Sequence, residues 1–355
     1  MVQELQKVAD PYCITEGYAT DTFIAKQIFE NGKWMVVNRV FYVYREAKGC
    51  WESENKSRVL KFICINLRFF YSNKKTGKQY KYSSNNKLKG VFNCARKRLH
   101  QKNFEFSQEH IAFQNGTLNM RDKSFTPHCK EHYAERYLDC IYQEGCECPP
   151  NFLAFLNSSF GEDKVSLLQA LILMYISPDV SYGKFGYLTN GSGERRDVFI
   201  RLIKKILGTR LAKALSFTDI KSDRNRHLYL KNTSLFVNAY FGGFRSRLQA
   251  SCFCQLVDNT PMTGRALYNH DTYQKNWNVR FLLASEPPHE IKLGREEFFS
   301  RAIHIPTKGA SLEILDRDLE GNLESEIPQI VSWVLGMKTK EAEEILFNHQ
   351  NQEES

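Results

Sequence analysis

Apolar positions in the first half of the chain fall into short runs of mixed period. Residues 22–29 read as a helix, and two short aromatic strands follow at 34–37 and 40–44, with turn residues at Asn31-Gly32 and Asn38-Arg39. Residues 57–70 read as a helix and 87–101 as a basic one. Residues 110–120 read as strand, turn at Asn115-Gly116, and strand. Pro149-Pro150 punctuates the chain, and 151–160 and 163–176 then carry apolar faces at helical spacing. The second half alternates: strand 185–188, helix 198–207, strand 234–240, helix 245–256, strand 279–284. Alternation with continuous apolar strands predicts an α/β fold, a mostly parallel buried sheet with helices on both faces, behind a smaller α+β region. Ligands of such sheets sit at the carboxyl ends of the strands.

The first of those strands runs into a small-residue turn, Asn190-Gly191-Ser192-Gly193, and then a helix. Strand, glycine turn and helix frame a nucleoside triphosphate site. In a working site a Lys after the last glycine reaches the β- and γ-phosphates, and the next Ser or Thr holds Mg²⁺. The residues on offer here are Glu194, Arg195, Arg196 and Asp197, and no register supplies a Lys followed by Ser or Thr. On its own such a turn is a common connection.

Charge adds a second candidate. The chain of 355 residues carries a formal charge of +9, and between Lys74 and Lys102 there are ten Lys or Arg and no Asp or Glu, which accounts for the whole excess. Tyr71, Tyr80 and Tyr82 accompany it. Lys and Arg neutralise phosphates, and Tyr rings stack on unpaired bases, so Lys74, Lys75, Lys78, Lys81, Arg96, Lys97 and Arg98 are candidate nucleic-acid contacts. The alternative is a solvated basic loop and helix face. Acids collect instead near the end, at Glu341, Glu343, Glu344, Glu353 and Glu354.

Ten unevenly spaced cysteines without a secretory signal suggest free thiols in a reducing compartment. The apolar run 165–176 is too short to span a bilayer, so no membrane is expected and the chain reads as cytoplasmic. His128, Cys129, His132, Cys140, Cys146 and Cys148 suit zinc by type but not by spacing, and no metal site is expected.

Two further stretches carry a resemblance. Residues 110–128, HIAFQNGTLNMRDKSFTPH, resemble the segment preceding the helicase domain of phage and plasmid primase–helicases and their poxvirus relatives. Residues 316–336, DRDLEGNLESEIPQIVSWVLG, resemble the ending of the same family. Between them lie, in order, a phosphate-loop position, an acidic-strand position at 235–240, a TGR-x-LY segment at 263–268, a sensor strand at 281–285 and an Arg before the last strand, Arg301. With the aromatic strands at 34–51, the resemblance covers about residues 20–340, and the family's primase domain has no expected counterpart.

The resemblance implies a superfamily-three helicase domain, an AAA+-like phosphate-loop ATPase that forms rings around DNA. It implies an N-terminal module at 1–148, a helicase-like domain at 149–306 and a C-terminal helical segment at 307–355. It also exposes losses. Laid on the family's loop, the nucleotide site becomes Asn190, Gly191, Ser192 and Gly193 with Arg195 and Arg196 near the phosphates, and the Lys position falls on Arg195 or Arg196 by register. The acidic strand reads Leu235-Phe236-Val237-Asn238-Ala239-Tyr240, without the acids that hold Mg²⁺, and the sensor strand ends in Ser285-Glu286. Arg301 falls at the arginine finger, and Arg265 and Lys275 in the segment that resembles the DNA-gripping pore hairpin. ATP and Mg²⁺ are thus the implied cofactors of a degenerate site. The expected function is that of a replication-associated, helicase-like protein of a mobile element, binding single-stranded or forked DNA with impaired ATP hydrolysis. Its expected partners are copies of itself in a ring, or an active relative in a mixed ring, at the nucleoid or a viral replication site. Two alternatives remain: an active divergent helicase with Glu286 or Asp197 on the metal, and an adaptor using only residues 74–102.

Overall fold

The structure is a computed structural model and describes residues 12–13, 20–67, 70–74, 77–79, 84–145, 148–177, 183–189, 193–214, 216–230, 233–265, 272–285, 291–308 and 318–349. The chain divides into two compact units, one of Met1–Ala112 and Gly116–Tyr137, the other of Phe113–Asn115 and Leu138–Ser355.

The first unit is α+β. In chain order it holds β1 (Tyr12–Cys13), α1 (Asp21–Phe29), β2 (Trp34–Val37), β3 (Val40–Arg45), β4 (Cys50–Glu54), α2 (Lys56–Leu67), β5 (Phe70–Lys74), β6 (Gly77–Gln79), α3 (Asn85–Arg98), β7 (Ser107–Ala112), β8 (Thr117–Asn119), β9 (Phe125–Thr126) and β10 (Ala134–Tyr137). The β2–β3 hairpin turns at Asn38 and Arg39, both at positive φ, as a two-residue turn matched to strand twist requires. Thr20 caps α1 by accepting the Phe23 N–H, and Ile24, Ile28 and Phe29 then face inward at helical spacing. They meet Trp34, Phe41, Phe62 and Phe92 in one core, with the Phe29 and Trp34 rings 5.3 Å apart. Helix α2 is shorter than its apolar pattern suggests, because the aromatic Phe70 and Tyr71 enter a strand.

The second unit is α/β. It holds α4 (Pro150–Ser159), α5 (Val165–Ile176), β11 (Phe185–Thr189), α6 (Gly193–Leu211), β12 (Ala212–Ala214), α7 (Asp223–Leu230), β13 (Leu235–Asn238), α8 (Arg247–Val257), β14 (Met262–Arg265), β15 (Thr272–Lys275), β16 (Arg280–Ala284), α9 (Arg295–Phe299), β17 (Ala302–Pro306), α10 (Leu319–Ser325), α11 (Ile327–Gly336) and α12 (Thr339–Asn348). Five strands form one parallel sheet in the order β12-β13-β16-β11-β17. The expected buried parallel sheet is therefore present, flanked by helices. Helix α5 is buried on every side, which is why its sequence is apolar almost throughout. Its Tyr175 Oη donates to the Phe281 carbonyl (3.1 Å), and a Cβ on Gly186 would lie 2.5 Å from that hydroxyl. Gly186 thus sits inside the apolar strand because the tyrosine needs the space. An aromatic cluster of Phe185, Phe217, Phe236, Phe241, Phe253 and Phe298 forms the other main core.

Candidate nucleotide and nucleic-acid sites

The carboxyl end of β11 is where the glycine turn begins. Asn190, Gly191 and Ser192 lie outside the described residues, and α6 starts at Gly193. The two arginines that follow point in different directions. Arg195 Nη1 donates to the Ser158 carbonyl at the end of α4 (2.5 Å). Arg196 is 1% exposed, and its Nη1 donates to the Ser285 carbonyl at the end of β16 (2.9 Å). Ser285 Oγ also bonds Tyr187 Oη (2.7 Å), whose pKa burial raises. Thr189 bonds His304 on β17 through its hydroxyl, and its carbonyl accepts the Thr307 N–H (2.7 Å). The strand ends are thus knitted together by their own side chains, with a guanidinium among them.

Among the described residues, three side chains here bear on Mg²⁺: Glu194, Asp197 and Asn238. The Asn238 amide oxygen at the end of β13 accepts the Tyr240 N–H (3.1 Å). Glu194 and Asp197 are the carboxylates at the start of α6, and Asp197 Oδ1 lies 3.8 Å from Arg196 Nε. Glu286 lies outside the described residues. Among the described residues no three His, Cys, Asp or Glu side chains are grouped to hold a metal ion. Beside a nucleotide, Mg²⁺ is held by one or two carboxylates and the phosphates themselves, and at the end of β13, where the resemblance expects such acids, the side chain is the amide of Asn238.

Arg301, just before β17, is engaged within its own chain. Its Nε and Nη2 make a two-pronged pair with Asp258 (2.7 and 2.8 Å), and Nη1 donates to the Glu297 carbonyl (2.9 Å). The Asp258 hydrogen bond raises its pKa further. Arg265 and Lys275 lie on β14 and β15, which pair antiparallel as a hairpin whose residues 266–271 lie outside the described ones. Arg265 Nε is 3.3 Å from Asp223, and Lys275 Nζ stands 5.2 Å from the ring centre of buried Trp277. A Cβ on Gly264 would fall 2.7 Å from that indole, so the glycine lets the tryptophan under the hairpin.

The residue that fixes this hairpin is Arg226 of α7. It is buried and donates to the carbonyls of Thr263 (2.8 Å), Lys221 (3.1 Å) and Ile220 (3.3 Å) and to Thr263 Oγ1 (3.1 Å). His227 adds a bond to Tyr273 Oη (2.6 Å). The sequence offers no period or spacing that would have singled out Arg226.

In the first unit, Arg96, Lys97 and Arg98 form the exposed last turn of α3, where a helix favours cations. Lys74 and Lys78 lie on the paired strands β5 and β6. Their side chains, and all of Lys75 and Lys81, lie outside the described residues. His110 and His132 stack with ring centres 5.0 Å apart and planes 5° from parallel. In-plane lone pairs of parallel rings do not converge on one ion. His110 Nδ1 bonds Ser107 Oγ (2.7 Å), and His128 Nδ1 bonds Thr117 Oγ1 (3.2 Å). Burial, then His110, lowers the His132 pKa. Burial also pushes the Cys140 thiol up to about 12, which makes it inert.

The two stretches that carry the family resemblance do structural work within the second unit. Gln114 N–H donates to the Cys140 carbonyl (3.0 Å), and Asn115 exchanges bonds with Tyr142 (2.9 and 3.0 Å). Glu326, at the α10–α11 junction, caps α4. Its Oε1 accepts from the Asn151 N–H (3.0 Å) and Nδ2 (2.6 Å), and its Oε2 accepts the Phe152 N–H (2.9 Å).

Comparison with known proteins agrees with this organisation. Residues 22–161 match the family described as D5 N terminal like. The A form apo structure of the NrS-1 C-terminal region aligns over 95% of this chain and 73% of its own, with a TM-score of 0.56 and 11% identity. An apo structure of NrS-1 residues 305–718 aligns over 95% and 76%, with a TM-score of 0.52 and 11% identity. At that identity the likeness is one of fold. No curated protein matches in sequence. Residues 22–161, less than half of the chain, thus resemble the D5 N terminal like family. An α/β unit follows that stretch, and the fold of the chain is similar to that of the NrS-1 region. Among the described residues no helix is long and apolar enough to cross a membrane.

Proposed function

We propose that this is a replication-associated, helicase-like protein of a mobile element that binds DNA, single-stranded or forked, and has lost efficient ATP hydrolysis. The observation that carries this reading is the fate of the residues after the glycine turn. Arg195 and Arg196 are both bound to backbone carbonyls, Arg196 deep inside the unit, and β13, two strands from β11 in the sheet, ends in Asn238 where hydrolysis calls for a carboxylate. Phosphoryl transfer relies on a held Mg²⁺ to neutralise developing charge, and the amide of Asn238 is a poorer ligand for it than a carboxylate. The parallel sheet, the hairpin and the basic last turn of α3 remain as a scaffold for DNA and for assembly, in a ring of copies or a mixed ring with an active relative. Such a protein would act at a nucleoid or viral replication site.

The test is ATP hydrolysis by the full chain with and without single-stranded DNA, beside Arg301→Ala. The expected result is no DNA-stimulated turnover in either protein. Stimulated turnover that disappears in Arg301→Ala would establish a working site between subunits and overturn the reading. Asp197, beside Arg196, is the observation that favours this active alternative.

A further inference from the structure

A second acid-free stretch lies in the α/β unit. Between Asp223 and Asp258 there is no Asp or Glu, while Arg224, Arg226, Lys231, Arg245 and Arg247 bring five positive charges. Arg226 is held internally by carbonyls. Arg245 and Arg247 are exposed, on either side of the α8 cap Ser246, and no described carboxylate pairs with them. Tyr240 stands on the same loop and is 79% exposed, more than any other large apolar side chain described.

That exposure is imposed by a fixed loop. The Phe241 N–H donates to the Ala284 carbonyl at the end of β16 (2.7 Å). The rings of Phe241 and Phe244 turn inward with centres 5.2 Å apart, and both pack on Phe217, at 5.4 and 5.2 Å. Gly242-Gly243 spans the two anchors, with Gly243 at φ +85°. The Arg245 N–H donates to buried Gln249 Oε1 (2.8 Å). Buried neighbours on one side therefore hold Tyr240 and the two arginines outward, at the carboxyl ends of β13 and β16, the edge where parallel sheets bind ligands.

We propose that loop 240–248 contacts a single strand of DNA, with an unpaired base stacked on Tyr240 and flanking phosphates neutralised by Arg245 and Arg247. An exposed aromatic ring beside unneutralised guanidinium groups, fixed on a scaffold, is the composition of single-strand sites. The loop carries no carboxylate and one exposed ring, which suits a polyanion with flat bases. The inference rests on the DNA-binding reading above and gives it a location outside the residues already named.

Anisotropy of a labelled oligo(dT) with the full chain, measured across a salt series, tests it. Tyr240→Ala should weaken binding about 5- to 150-fold, while Tyr240→Phe, which keeps the ring, binds as wild type. Arg245→Gln with Arg247→Gln should lower the slope of log affinity against log salt by about 1.4. All three side chains are exposed, so melting temperatures should not move. If Tyr240→Ala misfolds, Tyr240→Phe and the arginine pair still decide. Unchanged affinity and unchanged slope in these variants overturn the inference while DNA binding elsewhere stands. Absence of binding by the wild-type chain overturns the DNA reading itself, and the inference with it. Equal losses on a duplex of the same length would eliminate stacking. A double arginine variant that changes sedimentation but not oligo(dT) affinity would make the loop a contact between copies; either result sinks the proposal.

Discussion

Glu326 provides a sharp test of how the α/β unit is held together. A helix opens with backbone N–H groups that have no partner of their own. Helix α4 resolves this by composition and by one distant carboxylate. Pro149 and Pro150 have no N–H to satisfy, and the first intrahelical bond runs from Leu153 N–H to the Pro149 carbonyl. That leaves the Asn151 and Phe152 N–H groups, and Glu326 accepts both. The Glu326 side chain is buried, and its charge faces the positive end of the helix dipole. Glu326→Ala removes three charge-assisted bonds and strands two backbone donors, at a cost of about 3–5 kcal/mol. Glu326→Gln keeps one acceptor, loses the charge and turns an amide toward a donor, at about 1–2 kcal/mol. For a unit of this size these correspond to melting shifts of about 6–20 °C and 2–8 °C. Thermal unfolding at pH 7 followed by tryptophan fluorescence reads this directly, since Trp333 lies 6.0 Å from the Phe152 ring. A Glu326→Ala protein that melts within a degree of wild type would refute the capping argument.

Two further predictions concern a half-buried histidine and a buried arginine. Burial and then His110 hold His132 below its ordinary 6.5, with His128 acting the same way and Glu131 opposing. Its contribution to stability is complete above pH 6.5 and is lost as pH falls from there through the lowered folded value. His132→Gln should therefore flatten the pH dependence of melting between pH 7 and 5, and an unchanged profile would contradict it. Arg226→Met should leave the carbonyls of Ile220, Lys221 and Thr263 without their donor, destabilise the protein by about 2–4 kcal/mol, and speed amide exchange in β14. Exchange in β14 equal to wild type would show that the hairpin is held by other contacts.

The alternation of the second half was legible because each element of the sheet is apolar along its length and each turn carries its own chemistry. The Asn38-Arg39 turn was equally plain. Less visible were features made by partners far apart. Glu326 lies 175 residues from Asn151, Arg301 lies 43 from Asp258, and Arg226 reaches Thr263 across 37. Local period carries no record of such pairs. The short strands β10 and β12 were missed because three or four residues hold too few positions to show alternation. The spacing predicts α2 running on to residue 70, whereas it ends at Leu67, because a run of aromatics suits either state until pairing decides. At the candidate site, the family resemblance puts Arg195 or Arg196, by register, where a phosphate-binding Lys is expected. Only packing could show that one points to α4 and the other into the sheet.

The strand order has a temporal consequence. Strand β11 is made early in its unit, yet its two neighbours, β16 and β17, come from the far end, and Thr189 closes on Thr307 across 118 residues. The first unit, by contrast, pairs most of its strands as hairpins between consecutive strands, and its two parallel pairs, β1 with β5 and β7 with β10, are complete once Tyr137 is made. During synthesis the sheets of the first unit can be completed while β11 still lacks both partners, so the ribosome presents a finished module tethered to an unpaired apolar strand. Long-range parallel pairing is slow and exposes strand edges. The interval before residue 307 emerges is therefore when this chain is most exposed to aggregation and most in need of a chaperone.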